Sequence, residues 1–406
     1  MQTPPSPVTV SIQFPRPQLL SYAVLALLLG LSWEATLVYR LHRGNWTSLF
    51  YHGQERRGLP QEPAFGGTYI FPDDVGFDGQ YYRIIAHDPF LTRGLTRHID
   101  QPINRYRRIL VPLMAFILAF GQQRYVDAAF LATMLLFVFL GVYWLGRYAV
   151  LFHHSPAWGL AFLLAPGTLA ELERASIDTA LTALTIGFAL YLREQSRYRL
   201  LAIMVMAALC RETGFLLILA CAGSALLQQR WRCLSLSCVS ALPALAWYAF
   251  VRLRNPAEPN LSLMRVPLTD LLRDVMHHNV GYVKSGAWLV QLLYYVAVLG
   301  TLLAIAFAIR LSFKQWKNAE VLAMLGFALV GLLLQPPGFW MQPYHFGRVL
   351  APLTVLLALG YFPTGDWRRD VPALLVTPGI LLVSLASALR VVHRVGQSPP
   401  LVRPQK

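Results

Sequence analysis

The sequence predicts an all-α, polytopic membrane protein with about 10–12 transmembrane helices. Three observations indicate this class. Hydrophobic residues make up 56% of the 406 positions and charged residues only 14%, whereas a soluble domain carries about 25% charged residues. Apolar runs recur along the whole chain. The polar segments between them are too short for a soluble domain of ordinary size, so we expect one membrane domain with large loops.

The first apolar run, 19–39, has the length of a membrane span and no small-residue cleavage site, which predicts a retained first helix. Residues 1–18 are proline-rich and predicted to be disordered, and 391–406 form a C-terminal tail. Several of the apolar segments are shorter than a full span, which predicts half-helices or re-entrant pieces. The apolar segments are 19–39, 109–121, 127–147, 157–170, 177–192, 199–210, 213–228, 236–252, 287–309, 319–335, 348–363 and 371–390.

The basic loops predict the orientation, because Lys and Arg are enriched on the cytoplasmic side. The short basic loops are 193–199, 228–232, 310–317 and 366–369. The outer side then carries two long loops, 41–107 and 253–286, together with Arg211 and loop 335–348. We expect loops 41–107 and 335–348 to meet there.

In the N-terminal half, the number of apolar runs does not fit the predicted orientation, because two segments on the same side must be separated by an even number of membrane crossings. Loop 41–107 and Asp178 are both expected outside, yet three apolar runs separate them. One of the three is therefore not a full span. The shortest, 109–121 and 157–170, are the candidates, and the sequence does not choose between them.

Charge and cysteine content narrow the functional class. The net charge is +15, from 35 basic and 20 acidic residues, but the arginines are scattered over short loops, which argues against nucleic acid as a partner. The cysteines lie in or beside apolar segments without metal-type spacing, which is typical of small packing residues. They are Cys210, Cys221, Cys233 and Cys238.

The most unusual polar stretch is VGFDGQYYRIIAHDPF, residues 75–90 in the first outer loop. Residues 80–86 are amphipathic, which predicts a short interfacial helix beginning near Asp78. Gly79 is expected to let backbone approach a ligand closely. Asp78 is interpreted either as a helix N-cap or as a catalytic acid. Asp88, before Pro89, is typical of a turn terminator.

Two further stretches carry charge at helix ends. NRYRRILVP places Arg105, Arg107 and Arg108 at the mouth of the next helix. ALCRETGFL places Arg211 and Glu212 within a long apolar stretch, where ionisable groups are expensive and suggest function. The alternative is a simple hairpin turn between two helices.

The remaining polar candidates lie on other segments. PYHFGRVLAP places Tyr344, His345 and Arg348 at a helix mouth on the same side, and the aromatic loop 335–348 is expected to stack on sugar or to anchor at the interface. Glu34, inside the first helix, is interpreted as a buried hydrogen-bonded group rather than part of a cavity. Asp178 heads a helix and is either a functional acid or an N-cap.

Taken together, FDGQYYRIIAHDPF, RYRRILVPL, SIDTALTALTIGFALYLRE and LCRETGFLL resemble the bacterial multispanning GT-C glycosyltransferases. Their order is similar to that of the second mannosyltransferase of GPI assembly and its bacterial relatives. The resemblance covers roughly residues 19–228 and, more weakly, 335–363. It implies a GT-C-like domain over 19–390 with 41–107 as the catalytic loop.

The resemblance also implies a reaction: an inverting transfer of a hexose from a polyprenyl-phosphate-linked donor to an extracytoplasmic glycan, lipid or protein. Asp78 is the expected general base. Arginines are expected to bind the leaving phosphate. The expected substrate-binding residues are Gly79, Tyr81, Tyr82, Arg107, Arg108, Asp178, Arg211, Glu212, Tyr344, His345 and Arg348.

No cofactor or metal site is predicted, and a divalent metal is left open. The expected location is the bacterial inner membrane, with the site on its outer face. Two other classes are alternatives: a glycolipid transporter or flippase, and a non-catalytic envelope-assembly protein. Internal repeats, which many transporter folds carry, are not visible.

Overall fold

The computed structural model describes residues 16–55, 58–255, 269–277, 287–333 and 338–396. It is about 78% helical with almost no strand, which confirms the all-α class. The predicted disorder of the N-terminus concerns mainly 1–15, which lie outside the described residues, as do most of loop 253–286 and the end of the C-terminal tail. The first six residues of that tail, up to Gly396, belong to the last helix.

The α-helices follow one another with short connections. They are α1 Arg16–Leu41, α2 Gly79–His87, α3 Pro102–Arg107, α4 Leu110–Leu118, α5 Gln123–Leu151, α6 Thr168–Leu172, α7 Asp178–Arg193, α8 Arg197–Cys210, α9 Phe215–Leu227, α10 Trp231–Arg254, α11 Thr269–Met276, α12 Ala287–Lys314, α13 Ala319–Leu333, α14 Pro343–Val349, α15 Ala351–Leu359, α16 Tyr361–Thr364 and α17 Val371–Gly396.

Shorter elements fill the connections. The 3₁₀ helices are Trp46–Phe50, Pro63–Phe65, Leu95–His98, Pro156–Leu164, Glu212–Gly214, Phe339–Met341 and Trp367–Arg369. Two short strands in the first loop, β1 His52–Gly53 and β2 Ile70–Phe71, pair in parallel.

Each of the twelve apolar segments coincides with helical structure in the described chain. Among the described residues, five helices are long and apolar enough to span a membrane. A sixth span results if α14 and α15–α16, bent by 55°, are counted as one. This number is lower than the 10–12 predicted because other apolar helices are short. For example, α8 has 14 residues, about 21 Å at 1.5 Å per residue, against a hydrocarbon core of about 30 Å.

Helix α4 returns the chain to the side of the first loop. Asp127, near the start of α5, accepts hydrogen bonds from Arg83 of α2 at 2.8 and 2.7 Å. His87 of α2 also contacts Asp127, at 3.1 Å. Because α4 follows the first loop and α5 begins beside that same loop, α4 leaves and returns on one side. The segment 157–170 instead continues from the far end of α5 to the start of α7.

The short basic loops gather at the end of the bundle away from α2. Arg193 binds Glu320 at 2.8 and 2.5 Å, joining the end of α7 to the start of α13. Gln228 at the end of α9 donates to the carbonyl of Lys317 at 2.8 Å. Loops 193–199, 228–232 and 310–317, three of the four basic loops predicted on one side, therefore lie close together.

Helix α7 forms the centre of the bundle. Residues 178–191 are buried along its whole length, and α5 packs against it. Its first residue, Asp178, therefore lies inside the protein at the end that faces the first loop. This placement sets the position of the site described next.

Candidate functional site

Asp78 lies between two arginines from different parts of the chain. Its Oδ1 lies 2.8 Å from Nη1 of Arg105, and its Oδ2 accepts from Nη2 of Arg348 at 2.8 Å. Asp78 precedes α2 in the N-cap position but its side chain makes no capping hydrogen bond. The N-cap interpretation therefore holds for the position of Asp78 but not for its side chain, and the expected meeting of loops 41–107 and 335–348 is confirmed.

These contacts determine the charge of Asp78. Burial alone would raise the pKa of its carboxyl, but the guanidinium groups of Arg105, Arg348 and Arg108 together more than offset burial and hold the pKa well below its usual range. Burial lowers the pKa of Arg105, but Asp78, Tyr82 and Asp100 together more than offset burial and raise that pKa above its usual range. Asp78 is thus ionised, and its side chain is still 21% exposed.

A second acid is linked to the first through Arg348. Nη1 of Arg348 lies 3.4 Å from Oδ2 of Asp178, so this side chain bridges Asp78 and Asp178. Arg211 forms a close ion pair with Oδ1 of Asp178. Asp178 is the first residue of α7 rather than its N-cap, which is Ile177, and its side chain is 5% exposed. It therefore acts as the partner of two arginines.

The turn between α8 and α9 closes the other side of the site. Glu212 accepts from Nε of Arg108 at 2.9 Å, and Arg108 also donates to the hydroxyl of Tyr82 at 3.0 Å. Gly214 is required here because a Cβ would lie 2.0 Å from the carbonyl oxygen of Ala207. The segment is thus a hairpin turn, as the alternative proposed, and it also places two charges in the cluster.

We call this set of ion pairs the charge cluster. It contains four arginines and four carboxylates: Arg105, Arg108, Arg211 and Arg348, with Asp78, Asp100, Asp178 and Glu212. The cluster is therefore close to neutral. An anionic ligand would have to compete with these carboxylates for the arginines.

The two tyrosines after Gly79 are buried beneath the cluster. The guanidinium of Arg105 lies 4.8 Å from the ring centroid of Tyr81 and 5.9 Å from that of Tyr82. Tyr82 is only 1% exposed. The expectation that these rings line a sugar stays a prediction. They support the arginine that binds Asp78.

Gly79 is needed for packing rather than for ligand approach, which corrects the sequence interpretation. A Cβ at Gly79 would lie 2.2 Å from the carbonyl oxygen of Arg174 and 3.1 Å from that of Phe50. Both neighbours are backbone atoms. The short helix after it forms as predicted, but every residue of α2 is buried rather than interfacial.

The aromatic loop before α14 points inward. In the described part of loop 335–348, Tyr344, Phe339 and Trp340 are buried and do not form an exposed aromatic surface. Tyr344 packs edge-on against Phe77 at 5.8 Å between ring centroids. His345 is half-buried, with Nδ1 3.4 Å from the carbonyl oxygen of Gly338.

Arg107 lies outside the charge cluster. Its guanidinium stacks on the ring of Tyr248 of α10 at 5.3 Å. Of the three arginines at 105–108, the structure thus brings Arg105 and Arg108 to the cluster. Glu34 is buried as expected, but no hydrogen-bond partner of its carboxyl is present in the described part of the chain.

Sequence reasoning missed three residues in the segment ELERAS. Arg174 stacks on Phe77 at 3.7 Å and on Tyr344 at 4.7 Å. Ser176 lies 3.4 Å from Nη1 of Arg348. Glu171 is buried and accepts from the hydroxyl of Thr179 at 2.6 Å. The available signal was two acids and an arginine within an apolar stretch.

An apolar groove of ≈ 430 Å³ leads toward the cluster. The 3₁₀ segment Pro156–Leu164, α15 and α17 line it, and its wall includes Ala165 and Pro166. The next residue, Gly167, lies against Arg348, since a Cβ there would be 3.1 Å from the Cβ of Arg348. The groove therefore approaches Arg348, although Arg348 itself does not line it.

Among the described residues, His, Cys, Asp and Glu form no group of three or more that could hold a metal ion. Searches against known protein families, curated proteins and solved structures find no match to this chain. The resemblance to GT-C enzymes stays a prediction.

Proposed function

We propose that this protein is a membrane glycosyltransferase of the GT-C type. It moves a hexose from a polyprenyl-phosphate donor to an acceptor hydroxyl on the outer face of a bacterial inner membrane. The observation that carries the proposal is the convergence of distant segments on one cluster. Asp78, Asp178, Arg211 and Arg348 lie far apart in sequence and meet at one end of the bundle.

The chemistry requires a base and an anion site. The acceptor oxygen attacks the anomeric carbon, its proton passes to Asp78, and the bond from that carbon to the phosphate oxygen breaks. The electron pair leaves with the lipid phosphate, which needs positive charge rather than an acid. Arginine suits this leaving phosphate because a guanidinium group can donate two parallel hydrogen bonds to phosphate oxygens. The displacement is single and inverts the anomeric centre.

Asp78 must be released before it can accept a proton. A carboxylate whose pKa lies well below its usual range is a weak base. In the proposed reaction the donor phosphate attracts Arg348 and Arg105 away from Asp78. The carboxylate then loses two partners as the donor binds, so its basicity rises only when substrate is present.

The apolar groove supports a lipid-linked donor. Its lining is almost entirely hydrophobic, its wall at Ala165 and Pro166 precedes the Gly167 that contacts Arg348, and it extends along α15 and α17 to Trp158 and Tyr361. A polyprenyl chain in this groove would place its phosphate beside the arginines. Soluble nucleotide sugars have no such chain to fill it.

The test is binding of a short-chain polyprenyl phosphate to the purified chain. Arg211→Lys and Arg348→Lys each keep the charge but lose the fork, so we expect about tenfold weaker binding, equivalent to ~1.4 kcal/mol. Arg83→Lys is the control, since Arg83 is also a buried arginine and forms a bidentate pair with Asp127 away from the groove.

Two outcomes are informative. Weaker binding in both cluster variants with an unchanged control supports the phosphate role. Equal affinity for polyprenyl phosphate in all three variants would show that the ion pairs of the cluster only stabilise the fold, as expected for a non-catalytic assembly protein.

A further inference from the structure

A second cavity lies at the opposite end of the bundle, on the face where the short basic loops gather. Its volume is ≈ 720 Å³, and it lies between the beginnings of α8 and α10 and the end of α9. Its floor is apolar, formed by Leu200, Met204 and Leu236 with Cys221. The charge cluster contributes nothing to it.

The rim of this cavity is basic. Arg197, Arg230 and Arg232 line it, and all three are exposed. Gln195 and Gln228 add neutral polar groups. We refer to this feature as the basic cavity.

The rim arginines lack carboxylate partners within the described ranges. The acids nearest in sequence and space are already paired. Glu194 binds Arg147 at 2.6 Å, and Glu320 binds Arg193 at 2.5 Å. Three positive charges around one cavity therefore remain uncompensated, which favours an anionic ligand.

The starts of two helices add to the positive electrostatic potential of the cavity. Helix α8 begins at Arg197 and α10 begins at Trp231, and neither start carries a side-chain cap. The backbone N–H groups of a helix start carry partial positive charge, which supplements the rim arginines. The cavity and its arginines alone would already select an anion.

The surroundings indicate that this anion is a lipid. Trp231, on the rim, is 64% exposed, and tryptophan is typical of the membrane interface. The exposed face of α10 continues with Val239, Leu242 and Leu245. An acyl chain on this face would be continuous with a headgroup in the cavity.

We propose that the basic cavity binds the headgroup of an anionic phospholipid from the leaflet on this side. The phosphate lies among Arg197, Arg230 and Arg232, and one acyl chain follows the apolar face of α10. The proposal does not depend on the glycosyltransferase activity. It adds a second lipid site at the other end of the helices that hold Arg211.

The test uses native mass spectrometry of the full chain in detergent with added phosphatidylglycerol or phosphatidylcholine of identical acyl chains. The double variant Arg230→Gln/Arg232→Gln removes two rim charges. The control Arg310→Gln/Arg368→Gln removes two exposed charges from the same face outside the cavity. We expect phosphatidylglycerol to bind at least tenfold more weakly to the cavity variant and the control to keep its preference.

Two results would overturn the proposal. Equal losses in both variants would mean that the whole basic face attracts anionic lipid. Displacement of phosphatidylglycerol by excess inorganic phosphate would mean that the cavity takes a soluble anion.

A second measurement uses the unmodified chain and does not depend on variant folding. Cys233 lines the cavity and is half-buried, whereas Cys238 is exposed on the same helix. Phosphatidylglycerol should slow maleimide modification of Cys233 more than phosphatidylcholine of the same acyl chains does. Equal rates at Cys233 in the two lipids would refute occupation of the cavity.

Discussion

Replacing Gly79 by alanine tests the packing on which the site depends. In an unconstrained helix, replacing glycine by alanine would stabilise the helix by about 1 kcal/mol, because glycine is the weaker helix former. Here the new Cβ would lie 2.2 Å from the carbonyl oxygen of Arg174 and 3.1 Å from that of Phe50. Carbon atoms normally stay about 3.5 Å or more from neighbours. Neither oxygen can rotate away, since both belong to backbone.

We therefore expect Gly79→Ala to destabilise the protein by about 2 kcal/mol or more, in the upper range for overpacking. Thermal unfolding in detergent, followed by tryptophan fluorescence, measures the change. Gly58→Ala is the control, because no heavy atom lies within 4 Å of its Cβ. It should change stability by less than about 0.5 kcal/mol. A Gly79→Ala protein as stable as the control would refute the contact with Arg174, and a stable protein that fails to bind donor would restore the ligand-approach interpretation.

Two further predictions concern charge. The pKa of Asp78 is lowered in the folded protein, so its stabilising contribution is present above the unfolded value of about 3.9 and is lost as pH falls through the folded pKa. The stability difference between wild type and Asp78→Asn, followed by thermal unfolding, should therefore stay constant from about pH 8 to 5; a decline already in that range would contradict the two-arginine environment. Arg107→Gln should leave polyprenyl-phosphate affinity within about twofold, since the Arg107 guanidinium stacks on Tyr248 and is not one of the cluster's ion pairs; a loss like that of Arg211→Lys would place Arg107 in the site.

The helices could be predicted from the sequence, because each apolar run is recognised from the residues of that segment alone. All twelve runs are helical in the described chain. The sequence also predicted that α2 begins near Asp78 and that Asp78 and Arg348 lie on one side. The number of membrane crossings was harder to predict from the sequence, because an apolar helix such as α4 can be too short to cross. The contacts of Asp127 with α2 place the start of α5 beside the first loop, and the sequence alone does not show these contacts.

The details of the site could not be predicted because they depend on contacts across the fold. Asp78 and Arg348 are 270 positions apart and bond directly. Gly79 was interpreted as space for a ligand, but the space is filled by the backbone of Arg174. Tyr81 and Tyr82 were assigned to sugar binding from their proximity to Asp78, yet helix α2 turns both rings under Arg105. Side-chain direction in a buried helix is set by its neighbours.

The control for the central claim is a second acid in the same region. Asp127 resembles Asp78 in accepting from a buried arginine, and its side chain is 26% exposed. Asp127→Asn should therefore lower stability as Asp78→Asn does. It has no contact with Arg348 or Asp178 and should not affect transfer.

The most direct measurement is mass spectrometry of cell-envelope glycans from cells that lack the gene and carry wild type, Asp78→Asn or Asp127→Asn at equal membrane levels. We predict that deletion removes a hexose-containing glycan and that wild type and Asp127→Asn restore it. Asp78→Asn should reduce it by roughly 10²–10⁴-fold, the usual effect of losing a general base. Full restoration by a well-folded Asp78→Asn protein, or glycans unchanged by deletion, would contradict the proposed transferase.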